Sequence, residues 1–167
     1  MAYRVCFVCS GNICRSPTAE AVFWRQLAEA GLAGEVAVDS AGLGDWHVGE
    51  DLDERSATAL RARSYPAVPH QAKQFRAADF EDRDLVVALD AGHERALRAM
   101  ARTAGDRAKI RMLRSYDPAA AGDPEGLDVP DPYYGGRDGF EECLDMVEAA
   151  STGLLSAVRE QVEGHAA

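Results

Sequence analysis

No stretch of this chain is an uninterrupted apolar run long enough to span a bilayer, which excludes a helical membrane protein. The opening residues Met1-Ala2-Tyr3-Arg4 lead into a strand-like segment rather than a signal peptide, so a cytoplasmic location is expected. Cysteine is scarce. There are four (Cys6, Cys9, Cys14, Cys143), and three of them crowd into one short segment. That is poor material for a disulfide framework and better suited to reactive thiols in a reducing compartment. Positive charge is also short, with 18 Lys+Arg against 28 Asp+Glu and a net charge of -10. A general affinity for nucleic acid or an acidic membrane is thereby disfavoured. Internal repeats, linkers and low-complexity tracts are missing too. What remains is 167 residues, 47% of them hydrophobic, enough for one sizeable core but not comfortably two. A single domain over residues 1–167 is expected, and a monomer.

The apolar segment Tyr3 to Cys9 reads as a short buried strand, and Ser10-Gly11-Asn12 after it is a turn-forming cluster. Ser16-Pro17 suits an N-cap and first turn, Glu20 suits the positive end of a helix, and Ala19, Val22, Phe23 and Leu27 supply an apolar stripe. Further strands are expected at Glu35–Ser40, Asp84–Leu89 and Lys109–Leu113, with helices at Asp53–Arg63, Gly92–Thr103 and Phe140–Val162. Strands alternating with helices predict an α/β fold with a parallel sheet covered on both faces. Ser115 to Gly139 is dense in Asp, Pro and Gly, and a loop of that length in a compact domain is more often functional than idle.

In Cys9-Ser10-Gly11-Asn12-Ile13-Cys14-Arg15-Ser16 a thiol and a guanidinium stand six positions apart across a strand-to-helix turn. The spacing alone is weak; its location is informative. Amides around a tight loop at a helix N-terminus make a fixed anion site, and ligands of open parallel sheets lie beyond the carboxyl ends of the strands. Such a loop holds a phosphate dianion and favours a thiolate nucleophile with one piece of geometry. Arg15 can offer two parallel N–H donors to two phosphate oxygens, which lysine cannot match. Gly11 and Asn12 are residue types that tolerate positive φ. Ser16 either donates to the Cys9 sulfur or is a plain N-cap.

The run Val8-Cys9-Ser10-Gly11-Asn12-Ile13-Cys14-Arg15-Ser16-Pro17 resembles the signature of the low-molecular-weight protein-tyrosine phosphatases. Family-like stretches follow at Asp39-Ser40-Ala41-Gly42, Trp46-His47-Val48-Gly49 and Asp131-Pro132-Tyr133-Tyr134-Gly135. The resemblance covers essentially the whole chain. It implies a four-stranded parallel sheet flanked by helices, in a flavodoxin-like arrangement. The implied activity is hydrolysis of aryl phosphates, including phosphotyrosine on proteins, through a cysteinyl-phosphate intermediate without metal or cofactor. Phosphate would then be bound by Ser10, Gly11, Asn12, Ile13, Cys14 and Ser16.

Expelling a phenolate requires a proton donor, and Asp117-Pro118, Asp123-Pro124 and Asp131-Pro132 compete for the role. Asp-Pro is first of all a turn signal. Asp131 stands out because Tyr133 and Tyr134 could wall a slot for a flat ring, and the family pattern makes the same choice. Trp46 is either a lid over the core or a wall of that cleft; the resemblance favours the cleft, with His47 a specificity candidate. His70 reads as a structural histidine, and the resemblance puts it with Ser16 and Ser40 in a network holding the Asn12 turn. Cys14 is a loop-packing residue or, by resemblance, a partner for a reversible disulfide with Cys9; Cys6 and Cys143 read as buried and inert. An arsenate reductase of the same fold needs further cysteines, and none lies between Cys14 and Cys143. A phosphoarginine phosphatase carries a smaller polar residue at the place of Ile13. A binding module would need neither Cys9 nor Asp131.

Overall fold

A computed structural model describes residues 2–66, 69–120 and 124–166. Four parallel strands, β1 (Tyr3–Cys9), β2 (Val36–Gly42), β3 (Leu85–Ala88) and β4 (Ile110–Met112), lie in the order β2-β1-β3-β4. Among the described residues five α-helices accompany them: α1 (Arg15–Glu29), α2 (Glu54–Ala62), α3 (Ala91–Met100), α4 (Ala104–Ala108) and α5 (Arg137–Ala166). Because β1 pairs with β2 on one edge and β3 on the other, its carboxyl end is the point where the strand order reverses. That is where an open α/β sheet forms its crevice.

Alternation along β1 sorts the core into two layers. Val5, Phe7 and Cys9 face the layer built with Phe23 and Leu27 of α1 and Leu144, Val147 and Leu154 of α5. Cys6 and Val8 face the other, with Phe75, Phe80, Leu97 of α3 and Ile110. Both faces of the sheet are therefore covered. Phe7 meets Phe23 edge-on with centroids 5.8 Å apart, and Phe75 meets Phe80 in the same manner at 5.0 Å. Full burial of each such side chain contributes about 1.5–3 kcal/mol.

Local chemistry sets the ends of the elements. After α1 the Gly31 amide donates to Ala28 and the Leu32 amide to Leu27, a Schellman closure that needs the positive φ of 75° found at Gly31. Asp53 caps α2 by accepting from the amides of Arg55 and Ser56, and Asp90 caps α3 by accepting from His93. Two expectations need correcting. Ser16 is not an N-cap: α1 begins at Arg15, and no side chain caps it. The helix expected over 92–103 stops at Met100, because Ala101 is extended and the Thr103 hydroxyl caps a new helix by accepting from the Asp106 amide.

Candidate active site

The loop between β1 and α1 curls at the carboxyl edge of the sheet. Asn12 takes a φ of 60° there, a conformation asparagine tolerates better than most residues. Its side chain is fully used: Nδ2 donates to Ser16 Oγ and Ser40 Oγ, both at 2.9 Å, and Oδ1 accepts from the Lys73 amide at 3.0 Å. The His70 imidazole donates from Nε2 to the Asn12 carbonyl at 2.7 Å, which fixes its tautomer. Ser40 in turn donates to Glu20 at 2.6 Å. Glu20 therefore serves this chain of bonds and not the helix dipole, and burial raises its pKa. The turn is pinned by four partners, Ser16, Ser40, Lys73 and His70. The loop lies so close to β2 that a Cβ at Gly42 would sit 2.9 Å from the Ser10 carbonyl oxygen and 3.1 Å from the Asn12 nitrogen.

Among the described residues, the amides of Gly11, Asn12, Ile13 and Cys14 donate to no protein acceptor. Backbone donors left free around a curled loop at a helix N-terminus form an anion cradle. At its base lies Cys9, 3% exposed, with Ser16 Oγ 2.9 Å from the sulfur. Arg15 is 4% exposed. Its Nη1 donates to Asp90 Oδ2 at 2.8 Å and to the Val129 carbonyl at 3.0 Å. Its Nη2 lies 3.5 Å from Asp131 Oδ2 and 3.5 Å from Ser10 Oγ. A buried guanidinium held this firmly has its planar fork oriented in advance.

Of the three Asp-Pro pairs, only Asp131 lies beside Arg15 among the described residues. Asp117 is buried and accepts from the Ala119 amide within its own turn, and Asp123 lies outside the described residues. Asp131 also accepts from the Tyr133 amide at 3.0 Å, so carboxylate and ring belong to one small turn. Tyr133 packs edge-on against Tyr134, which is 88% exposed. Across from them the His47 ring lies over Gly11, where an added Cβ would come within 2.8 Å of it, and is tied through Nδ1 to Glu50 at 2.9 Å. The centroids of His47 and Tyr133 are 6.3 Å apart. Trp46, 70% exposed, folds back over Gly44 beside this rim.

Sequence reasoning missed Asp90 and His93. Burial opposes the charge on Asp90, but the His93 amide and Arg15 overcome it and hold the carboxyl below its usual range. His93 is buried next to Ser10, with Nε2 3.0 Å from Ser10 Oγ and 3.4 Å from Arg15 Nη2. Burial, aided by Arg15, lowers its pKa to about 4, so it is neutral at pH 7. Leu89-Asp90 at the end of β3 obeys the same carboxyl-edge rule that singled out Cys9, and that signal was available. Burial pushes the Cys14 and Cys143 thiols up to about 12, and the Cys6 thiol also rises.

A buried thiol and guanidinium converge beside a cradle of free amides at the switch point of a parallel sheet, an arrangement suited to an α/β protein that binds a phosphate ester. The family described as low molecular weight phosphotyrosine protein phosphatase matches residues 4–164, and the chain belongs to it. A low molecular weight protein-tyrosine-phosphatase of Streptomyces coelicolor is 65% identical over 167 residues, 100% of both chains. Low molecular weight protein-tyrosine phosphatase A of Mycobacterium tuberculosis is 48% identical over 159 residues, 95% of this chain and 93% of that one. The crystal structure of a protein tyrosine phosphatase from Entamoeba histolytica with Hepes in the active site matches with a TM-score of 0.88 at 31% identity. It covers 96% of this chain and 99% of that one.

Proposed function

We propose that this chain hydrolyses phosphotyrosine on proteins and small aryl phosphates, with Cys9 as nucleophile, Arg15 as phosphate clamp and Asp131 as acid and then base. The observation that carries this reading is the convergence of Cys9, Arg15 and the free loop amides, with Asp131 3.5 Å from the guanidinium. In the first step a Cys9 S–P bond forms, the aryl P–O bond breaks, and Asp131 gives its proton to the departing phenol oxygen. In the second, water attacks phosphorus, the S–P bond breaks, and the Asp131 carboxylate takes the proton of the water. Arg15 and the amides of Gly11, Asn12, Ile13 and Cys14 hold the equatorial oxygens throughout, stabilising charge by preorganised donors. Ser16 faces the sulfur and steadies it. Ser40 and His70 hold the Asn12 turn. Trp46, His47, Tyr133 and Tyr134 wall the slot for the ring.

Four free thiols suit a reducing, cytoplasmic setting, and a monomer suffices because every proposed group comes from one chain. The arsenate-reductase alternative has less support, since no cysteine lies between Cys14 and Cys143. The test is phosphate release from a phosphotyrosine and a phosphoserine peptide by wild type and Cys9→Ser in a chelating buffer. Turnover of the tyrosine peptide alone, abolished by Cys9→Ser, is expected. Turnover that survives the substitution removes Cys9 from the reaction.

A further inference from the structure

Asp131 stands on an exposed loop, and its 3.5 Å approach to Arg15 is too long for a firm hydrogen bond. Something else must hold this carboxylate over the phosphate loop. The candidate is Arg55, in the first turn of α2. Its guanidinium carbon lies 5.2 Å from the centroid of the Tyr133 ring and 4.6 Å from that of Phe140. Phe140, in the first turn of α5, is buried in the core. The same guanidinium is gripped from behind by Asp53, with Nε 3.2 Å from Oδ1 and Nη2 3.1 Å from Oδ2. The Asp53 amide donates to the Ile13 carbonyl of the phosphate loop at 2.8 Å. A continuous set of contacts thus runs from the phosphate loop through Asp53 and Arg55 to the Tyr133 ring. It returns through the Tyr133 amide to Asp131 Oδ1.

We infer that Arg55 is a positioning residue for the acid: by holding the Tyr133 ring against α2 it sets the distance between the Asp131 carboxylate and the phosphate loop. It rests on the reading of Asp131 as the acid. Its strength lies in geometry, since the guanidinium pairs through two nitrogens with Asp53 while its carbon stands over both rings, and neither Lys nor Met can do both. The Arg55 side chain is 46% exposed, so its replacement leaves the core intact.

The test compares phenyl phosphate, whose leaving group needs a proton, with p-nitrophenyl phosphate, whose leaving group scarcely does. Turnover is measured for wild type, Arg55→Met, Asp131→Ala and the double variant. Arg55→Met is expected to lower kcat on phenyl phosphate about tenfold, as loss of a contact of this kind allows. On p-nitrophenyl phosphate the loss should stay below about twofold, and Arg55→Lys should recover part of it. In the Asp131→Ala background the same substitution should add almost nothing, because the two residues act through one step. Equal losses on both substrates, or the full loss persisting without Asp131, would overturn the assignment. Amide hydrogen exchange supplies a readout independent of activity. Exchange at Tyr133 should quicken in Arg55→Met while that of β3 stays unchanged, and an unchanged Tyr133 overturns the clasp. If wild type turned over neither ester, the phosphatase reading would fall, while the exchange result would still decide whether Arg55 holds the loop.

Discussion

Asn12 and His93 show how much a single side chain does here. Asn12 spends both amide hydrogens and its carbonyl oxygen on neighbours, so the positive φ at its backbone is held by bonds and not merely tolerated. His93 is the counterpart on the opposite wall, a neutral imidazole among charges. It faces Arg15, Asp90, Asp131 and Asp128 as well as the Ser10 hydroxyl, and burial and Arg15 outweigh the carboxylates to bring its pKa to about 4. This has a consequence for stability. Between pH 6.5 and about 4 the unfolded chain binds a proton at this site and the folded chain does not, so stability falls as pH is lowered through that window. Asp90, whose carboxyl is held below its ordinary value, adds a loss of the same sign at more acid pH. A single such site contributes at most about 1.4 kcal/mol per pH unit. His93→Gln keeps a polar side chain at this position but does not titrate. Urea unfolding at pH 5 and pH 7 should therefore show a shallower pH dependence in the variant, and identical dependence in both proteins would discount His93 as its source.

At the level of elements, patterning made the sheet and the main helices legible. The Val-rich runs became β1 and β3, and the 140–162 stripe became the middle of α5, because buried strands and amphipathic helices write their period into the sequence. What was not legible depended on contacts between distant segments. For Ser16 the sequence left two roles open, N-cap or partner of the Cys9 sulfur, and only the fold chooses the second, since α1 is anchored by tertiary packing and has no side-chain cap. Asp90 sits at a carboxyl strand end that the sequence does mark, but its partner Arg15 is set by the fold, and nothing in the sequence ties Arg55, a polar residue in a helix start, to the Asp131 turn. The glycines of α5 show the same dependence on partners. An added Cβ at Gly153 would sit 1.9 Å from the Tyr116 carbonyl oxygen, in the 3-10 turn Leu113–Tyr116 that packs on the helix, whereas one at Gly164 meets nothing. Helix propensity favours alanine by about 1 kcal/mol at either place, but overpacking against fixed backbone costs about 1–3 kcal/mol or more. Gly153→Ala should lower Tm by several degrees while Gly164→Ala leaves it level or raises it, as thermal unfolding by circular dichroism would show. Equal effects would mean that α5 is free to shift away from the 3-10 turn.

For the molecule as a whole, the proposed chemistry is at odds with the overall charge. A chain of net charge -10 repels a phosphate dianion at long range, and attraction begins only inside the loop, where Arg15 and the free amides act over a few ångströms. Salt separates the two scales, because the screening length falls from about 30 Å at 0.01 M to about 8 Å at 0.15 M. Screening removes the distant repulsion while leaving the buried, short-range contacts of Arg15 nearly intact. For a phosphotyrosine peptide with acidic flanks, kcat/KM should therefore rise several-fold on going from 10 to 150 mM KCl. A peptide of the same length with basic flanks should lose several-fold over the same range, since its attraction to the acidic surface is screened as well. The two trends should converge at high salt on a value set by the loop alone. Parallel losses for both peptides would mean that the cationic loop governs encounter at every distance and that the remaining charge lies too far from the site to steer it.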